Sequence, residues 1–183
     1  MKQDISFVQR LTTALLTNQK ITQKEADSLV ATFHDRAKGR VDKFLLDEGM
    51  IEREDLLEAL SIIYQVPYFD VSGYFFENEL LDLFSRDTLI LKGVIPLQVE
   101  KDILIVVASN PEDPELLEVL GNSVSYDIQF NVGLHQDIIE SIEEYYESSI
   151  ITEDENQFED DEDDDDYEDE SQNPDNDQFD DEY

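Results

Sequence analysis

No lysine or arginine follows Lys101. Residues 1–101 hold 12 basic and 17 acidic side chains, residues 102–152 hold 11 acidic ones, and residues 153–183 hold 19 more. The whole 183-residue chain carries a net charge of −35. This asymmetry sets what can fold. About 150 residues are enough for one ordinary domain or two small ones. The segment Glu159–Glu170 is nearly pure carboxylate and cannot bury enough apolar area to offset its ordering entropy, so a disordered acidic tail is expected over 149–183.

The charge also narrows the function. Binding to nucleic acid phosphates needs clustered Lys and Arg, so direct nucleic acid binding is not expected. Anionic membrane surfaces repel the chain for the same reason. The longest apolar run, Ile103–Ala108, is far short of a membrane span. Met1–Leu16 has helical spacing rather than the continuous apolar stretch of a signal peptide, and a cytoplasmic protein is expected. There is no cysteine, hence no disulfide or thiolate chemistry. His34 and His135 are the only histidines and lie far apart, which argues against a histidine metal site. No glycine is followed by lysine, so no phosphate-cradling loop exists, and no G-x-S-x-G or H-E-x-x-H pattern occurs. Carboxylate pairs are frequent by composition and locate nothing. His34 reads as a helix residue beside Phe33, and His135 as the start of the last helix. A non-enzyme with no cofactor and no metal is expected.

Ile5, Val8, Leu11 and Leu15 step by three and four, the mark of a helix with one buried face. Thr22 and Glu25 form a capping-box signal, with Ile21 and Ala26 as the staple pair. Ala26, Leu29, Val30 and Phe33 give the second buried face. A third helix is predicted over about Val41–Glu48, with Gly49 suited to the left-handed position that ends it. A fourth runs over about Arg53–Tyr64 and stops at Val66-Pro67. A shift of thirty residues lays Arg10–Phe33 on Arg40–Ile63. Arg10/Arg40, Leu15/Leu45, Leu16/Leu46 and Ile21/Ile51 are then identical, which suggests an internal repeat.

Beyond Pro67 the pattern changes. Pro67–Val71 reads as extended, Glu77–Phe84 as a helix, and Val94–Val99 with Ile103–Ala108 as a hairpin around Glu100-Lys101-Asp102. Asn110–Pro114 caps a short helix over Glu115–Leu120. Tyr126–Val132 alternates with period two, and Asp137–Tyr146 is a final amphipathic helix. The expected class is α+β: residues 1–65 form a helical subdomain of two helix pairs, residues 66–148 a small α/β sandwich of order β-α-β-β-α-β-α, and the tail follows.

This order resembles the N-terminal domain of the type II secretion and type IV pilus assembly ATPases, the family of GspE, PilB and MshE. The residues that carry the likeness are Leu45–Ile51, Leu56–Leu60, Val66–Val71, Val94–Leu97, Ile103–Ala108, Asn110-Pro111 and Ile142–Tyr146. The resemblance covers roughly residues 8–148. In the family a catalytic motor follows; here the acidic tail stands in its place. The resemblance therefore implies an adaptor or regulatory domain that docks to a secretion or pilus assembly protein.

Some members of that family bind cyclic di-GMP through a tandem motif, RLGxxLxxxGxL followed by LxxxLxxQ. Arginine stacks on guanine and pairs with phosphate, and glycine lets the backbone approach. The first copy here keeps Arg10 and Leu11, but Thr12 and Gln19 replace its glycines and Phe33 its glutamine. The second keeps Arg40 and Gly49, with Val41 for leucine, Asp42 for the first glycine and Ile63 for the glutamine. The resemblance thus marks Arg10, Leu11, Arg40, Val41 and Gly49 as a degenerate nucleotide site.

The tail supports other roles. Its aromatics, Phe158, Tyr167, Phe179 and Tyr183, lie among carboxylates and would suit a basic protein partner, as in an acidic chaperone or a nucleic-acid mimic. It would equally serve as a solubilising terminus. It would also be attracted to the cluster of Arg36, Lys38, Arg40 and Lys43, and less so as salt rises. Calcium binding by the Asp run would be loose, for want of a Gly-turned loop.

Overall fold

The computed structural model describes residues 5–33 and 40–156. The expectations for His34, for Arg36 and Lys38, and for the acidic segment 157–183 lie outside the described residues.

Four helices form the first layer: α1 (Ile5–Thr17), α2 (Gln23–Phe33), α3 (Val41–Asp47) and α4 (Arg53–Tyr64). Their predicted apolar faces are buried, with Leu11, Leu15, Val41, Leu45 and Leu56 fully enclosed. The Thr22 capping box forms as expected. The Thr22 amide donates to Glu25 Oε2 (2.7 Å) and the Glu25 amide donates to Thr22 Oγ1 (3.3 Å).

The two helix pairs turn the same way. After α1, the Gln19 amide donates to the Leu16 carbonyl and the Lys20 amide to the Leu15 carbonyl. After α3, Gly49 donates to Leu46 and Met50 to Leu45. This is the same C-terminal motif, repeated at a thirty-residue interval. Gly49 takes φ +62 there without strain; Gln19 takes φ 58 at the equivalent place, a conformation that costs a side chain something.

The second layer is a three-stranded sheet of order β1-β2-β3, from β1 (Val94–Glu100), β2 (Ile103–Ala108) and β3 (Asp127–Val132). β1 and β2 pair antiparallel, and Glu100 faces Ile103 across a two-residue turn. Lys101 and Asp102 have φ 48 and 70, the left-handed pair that matches strand twist in a tight hairpin. β2 and β3 are parallel, and α7 (Leu116–Gly121) lies in the crossover between them.

Three predicted elements come out differently. Pro67–Val71 contributes one bridge, Tyr68 to Val132, rather than a strand. The helix expected over Glu77–Phe84 is a single turn, α5 (Asn78–Leu81), and a further helix, α6 (Arg86–Lys92), follows it. Ser85 caps α6 by accepting the Thr88 amide (3.2 Å), and Gly93 ends it at φ +61. The last helix, α8 (His135–Asn156), runs ten residues past Tyr146 and through the expected start of the tail. Among the described residues no helix is long and apolar enough to cross a membrane.

Two apolar cores result. One lies among α1–α4 and also takes in Val132 and Leu134 from the end of β3. The other lies between the sheet and α5–α8, on Leu81, Leu89, Ile95, Leu104, Leu116 and Ile138.

Gly93 and Gly49 are expected to respond differently to substitution. A Cβ on Gly93 would meet Ser109 Oγ at 2.5 Å and His135 Nδ1 at 2.8 Å, whereas one on Gly49 meets nothing within 4 Å. Gly93→Ala should cost about 2 kcal/mol or more and Gly49→Ala about 1 kcal/mol, measured by urea unfolding.

Candidate functional site

The five residues marked by the sequence divide into two kinds. Leu11 and Val41 are fully buried in the helical core. Gly49 ends α3 with open space beside it. Arg10 and Arg40 keep a polar face, at the seam between the helical layer and the sheet layer.

Arg10 spans that seam. Its Nη1 donates to Glu112 Oε2 at 2.7 Å and its Nη2 to Glu112 Oε1 at 2.8 Å, a two-pronged pair across 102 residues of sequence. Nη2 also donates to the Ile63 carbonyl at 2.5 Å. The guanidinium carbon lies 5.5 Å from the centroid of the Tyr64 ring. The end of α4 and the Asn110–Pro114 loop are thus both held by one side chain of α1. Glu112, so paired, is held below its usual carboxylate range.

Arg40, preceding α3, pairs with Asp42 on its first turn. Nε lies 3.1 Å from Oδ1 and Nη2 2.7 Å from Oδ2. Asp42 is 4% exposed. This buried carboxylate makes the guanidinium an internal counter-ion.

Tyr64 and His135 join the two arginines electrostatically. Burial first, then Glu112, pushes the Tyr64 hydroxyl up to about 12, against the opposing pull of Arg10 and Arg40. Burial first, then Arg40, pushes the His135 imidazole down to about 4. His135 opens α8 as expected, and its Nδ1 lies 3.2 Å from Ser109 Oγ. Further along the seam Arg53 contacts both Asp70 and Asp137. Burial nevertheless leaves the Asp137 carboxyl above its usual range.

The residues that sequence reasoning missed here are Glu112, Tyr64, Arg53 and Asp137. Glu112 and Asp137 lie 102 and 84 residues from their arginines, so no local spacing signals them. Beside Arg10 a groove of about 600 Å³ opens between α1 and α4, with Thr13, Ala14, Ile62 and Ile63 in its walls. Another, of about 570 Å³, lies between α1 and α2. Among the described residues no cluster of side chains could hold a metal ion.

Residues 64–151 match the model of the MshEN domain family. Over that stretch the chain is similar to the MshEN domain family. The match begins at the end of α4 and takes in the whole sheet layer, including Glu112 and His135.

The fold extends the likeness to the helical layer. The structure of MshE with cdg superposes with a TM-score of 0.59 at 18% identity, covering 74% of this chain and 98% of that one. The N-terminal domain of XpsE gives 0.50 at 16% identity, covering 78% and 96%. In sequence, Bacteriophage adsorption protein B of Escherichia coli K12 is 26% identical over 133 residues, 72% of this chain. Bacteriophage N4 adsorption protein B of Escherichia coli O157:H7 matches equally. This chain spans 17% of the length of those two relatives. The fold is thus shared with MshE and with the N-terminal domain of XpsE.

The two arginines should differ in weight. Arg10 and Glu112 are each more than a third exposed, so a double-mutant cycle should give a coupling under about 1 kcal/mol. Arg40→Ala leaves Asp42 buried without its guanidinium and should cost about 3 kcal/mol. A pH series tests His135. Its folded pKa lies below the unfolded value, so its stabilising neutral state is fully favoured above pH 6.5. Stability should fall as pH drops from 6.5 toward about 4. His135→Gln should flatten that part of the profile in urea unfolding.

Proposed function

We propose that the chain is a non-catalytic adaptor or regulatory module that docks, through its folded part, onto an assembly of the type II secretion or type IV pilus type. The observation that carries this reading is the fold shared with MshE and with the N-terminal domain of XpsE, over nearly the whole length of each. That the same module accounts for 17% of a bacteriophage adsorption protein supports a part that is appended to larger machines. The partner is a protein component of such a machine, met in the cytoplasm, with no direct role for nucleic acid and no membrane insertion.

A cyclic di-GMP receptor is the second reading, favoured by the fold match to MshE with cdg. The residues at the degenerate site, Arg10, Leu11, Arg40, Val41 and Gly49, fit that dianion poorly. Arg10 holds Glu112, Arg40 holds Asp42, and Asp42 would stand against the incoming charge. Leu11 and Val41 are already spent in the core, and Gly49 serves as the end of α3. The first reading therefore assigns these side chains to the architecture of the module and gives it no cofactor.

A crosslinked pull-down, run with the full chain and with residues 1–156, tests the docking reading. Both should capture the same secretion or pilus component. Capture by the full chain alone, of basic proteins released by salt, would instead assign the function to the polyanionic segment.

A further inference from the structure

Phe75 is 95% exposed, more than any other large apolar side chain among the described residues. The loop that presents it is well braced. Asp70 accepts the Ser72 amide at 3.0 Å, the Tyr74 amide donates to the Val71 carbonyl at 3.1 Å, and Gly73 turns the chain at φ +70. Tyr74 packs edge-on against Phe69 (5.2 Å) and against Phe76 (4.9 Å). Phe69 and Phe76 in turn pack on the sheet-layer core. Phe75 therefore sits between anchored neighbours, with its ring left to solvent.

Its surroundings have one chemistry. Tyr68, Tyr74 and Leu83 are also exposed on this segment. Glu77 and Glu79 are exposed, and among the described residues neither has a cationic partner. No lysine or arginine occurs between Arg53 and Arg86. Both of those are engaged, Arg53 with Asp70 and Asp137, and Arg86 with Glu143 at 4.0 Å. An exposed aromatic beside unspent carboxylates excludes several occupants. An anionic membrane is repelled, nucleic acid finds no cation, and a second copy would bring the same negative charge to the contact.

We infer that the Phe75 loop is a docking knob for a basic protein segment, one whose apolar side chains enclose the Phe75 ring while its Lys or Arg reach Glu77 and Glu79. Large aromatics enclosed at the centre of a contact dominate binding, and complementary rim charge selects the partner. The inference rests on the docking reading above and gives it a surface and a partner chemistry.

The test is an NMR titration of the ¹⁵N-labelled full chain with a synthetic amphipathic peptide of Leu and Lys, beside a Leu and Glu peptide of equal apolar content. The Lys peptide should shift the amides of residues 72–79 and the Glu peptide should not. Phe75→Ala should weaken the response at those amides by about tenfold, and Glu77→Gln with Glu79→Gln should weaken it further and blunt its salt dependence. Because Phe75 is exposed, the variant should unfold at the wild-type urea concentration. Three results would overturn the inference: no shifts at 72–79, shifts that Phe75→Ala leaves intact, or concentration-dependent dimerisation that Phe75→Ala abolishes. Any of these, with pull-down of a secretion or pilus component retained, places docking on another face. Loss of the pull-down as well removes the docking reading itself.

Discussion

The end of β3 belongs to both layers, and the rest of the structure depends on that. Its last residue pairs with the sheet, Val132 facing Ala108, while the Val132 side chain is fully buried among the helices. Leu134 follows it into the same core. Burying such a side chain is worth about 1.5–3 kcal/mol, whereas an exposed ion pair contributes under about 1 kcal/mol. The apolar plug therefore holds the layers together, and the ionic contacts of Arg10 and Arg53 set how they meet. The segment 67–69 completes the joint by bonding to the free edge of β3, Phe69 to Val132 at 2.9 Å and Val132 to Pro67 at 2.8 Å.

This seam gives the arginines their present work. The Arg10 fork is filled by Glu112 and by a backbone carbonyl. Arg40 is filled by Asp42. The chain thus carries its own anions at these two cations. The groove between α1 and α4 and the braced loop around Phe75 stay open on the outer faces.

Much of the fold was legible in the sequence. The helix faces of α1–α4, the Thr22 capping box, the Gly49 stop, the hairpin and β3 all follow from local periodicity and from residues whose backbone preferences are strong. The misreadings have local causes. Leu80, Leu81 and Phe84 are all buried, but the chain breaks its helix after Leu81 to place Phe84. Ser85 and Thr88, a cap without the usual acidic third residue, then hid the start of α6. Pro67–Val71 has strand-like residues, yet with only β3 beside it the segment makes a single bridge. The ionic seam was only partly legible. The thirty-residue shift paired Arg10 with Arg40, and Gly49 was legible as a helix stop, because local sequence carries both signals. Glu112, Tyr64 and Asp137 were invisible, because their meaning comes from contacts that only the tertiary fold creates.

We propose that Arg10 and Arg40 serve the architecture of the module rather than a bound dinucleotide. Titration calorimetry of the full chain with cyclic di-GMP, raised to the order of millimolar, tests it most directly. No saturable heat is expected. A saturable isotherm lost in Arg10→Ala would contradict it, and would show that the ligand displaces Glu112 and that the seam is a receptor site.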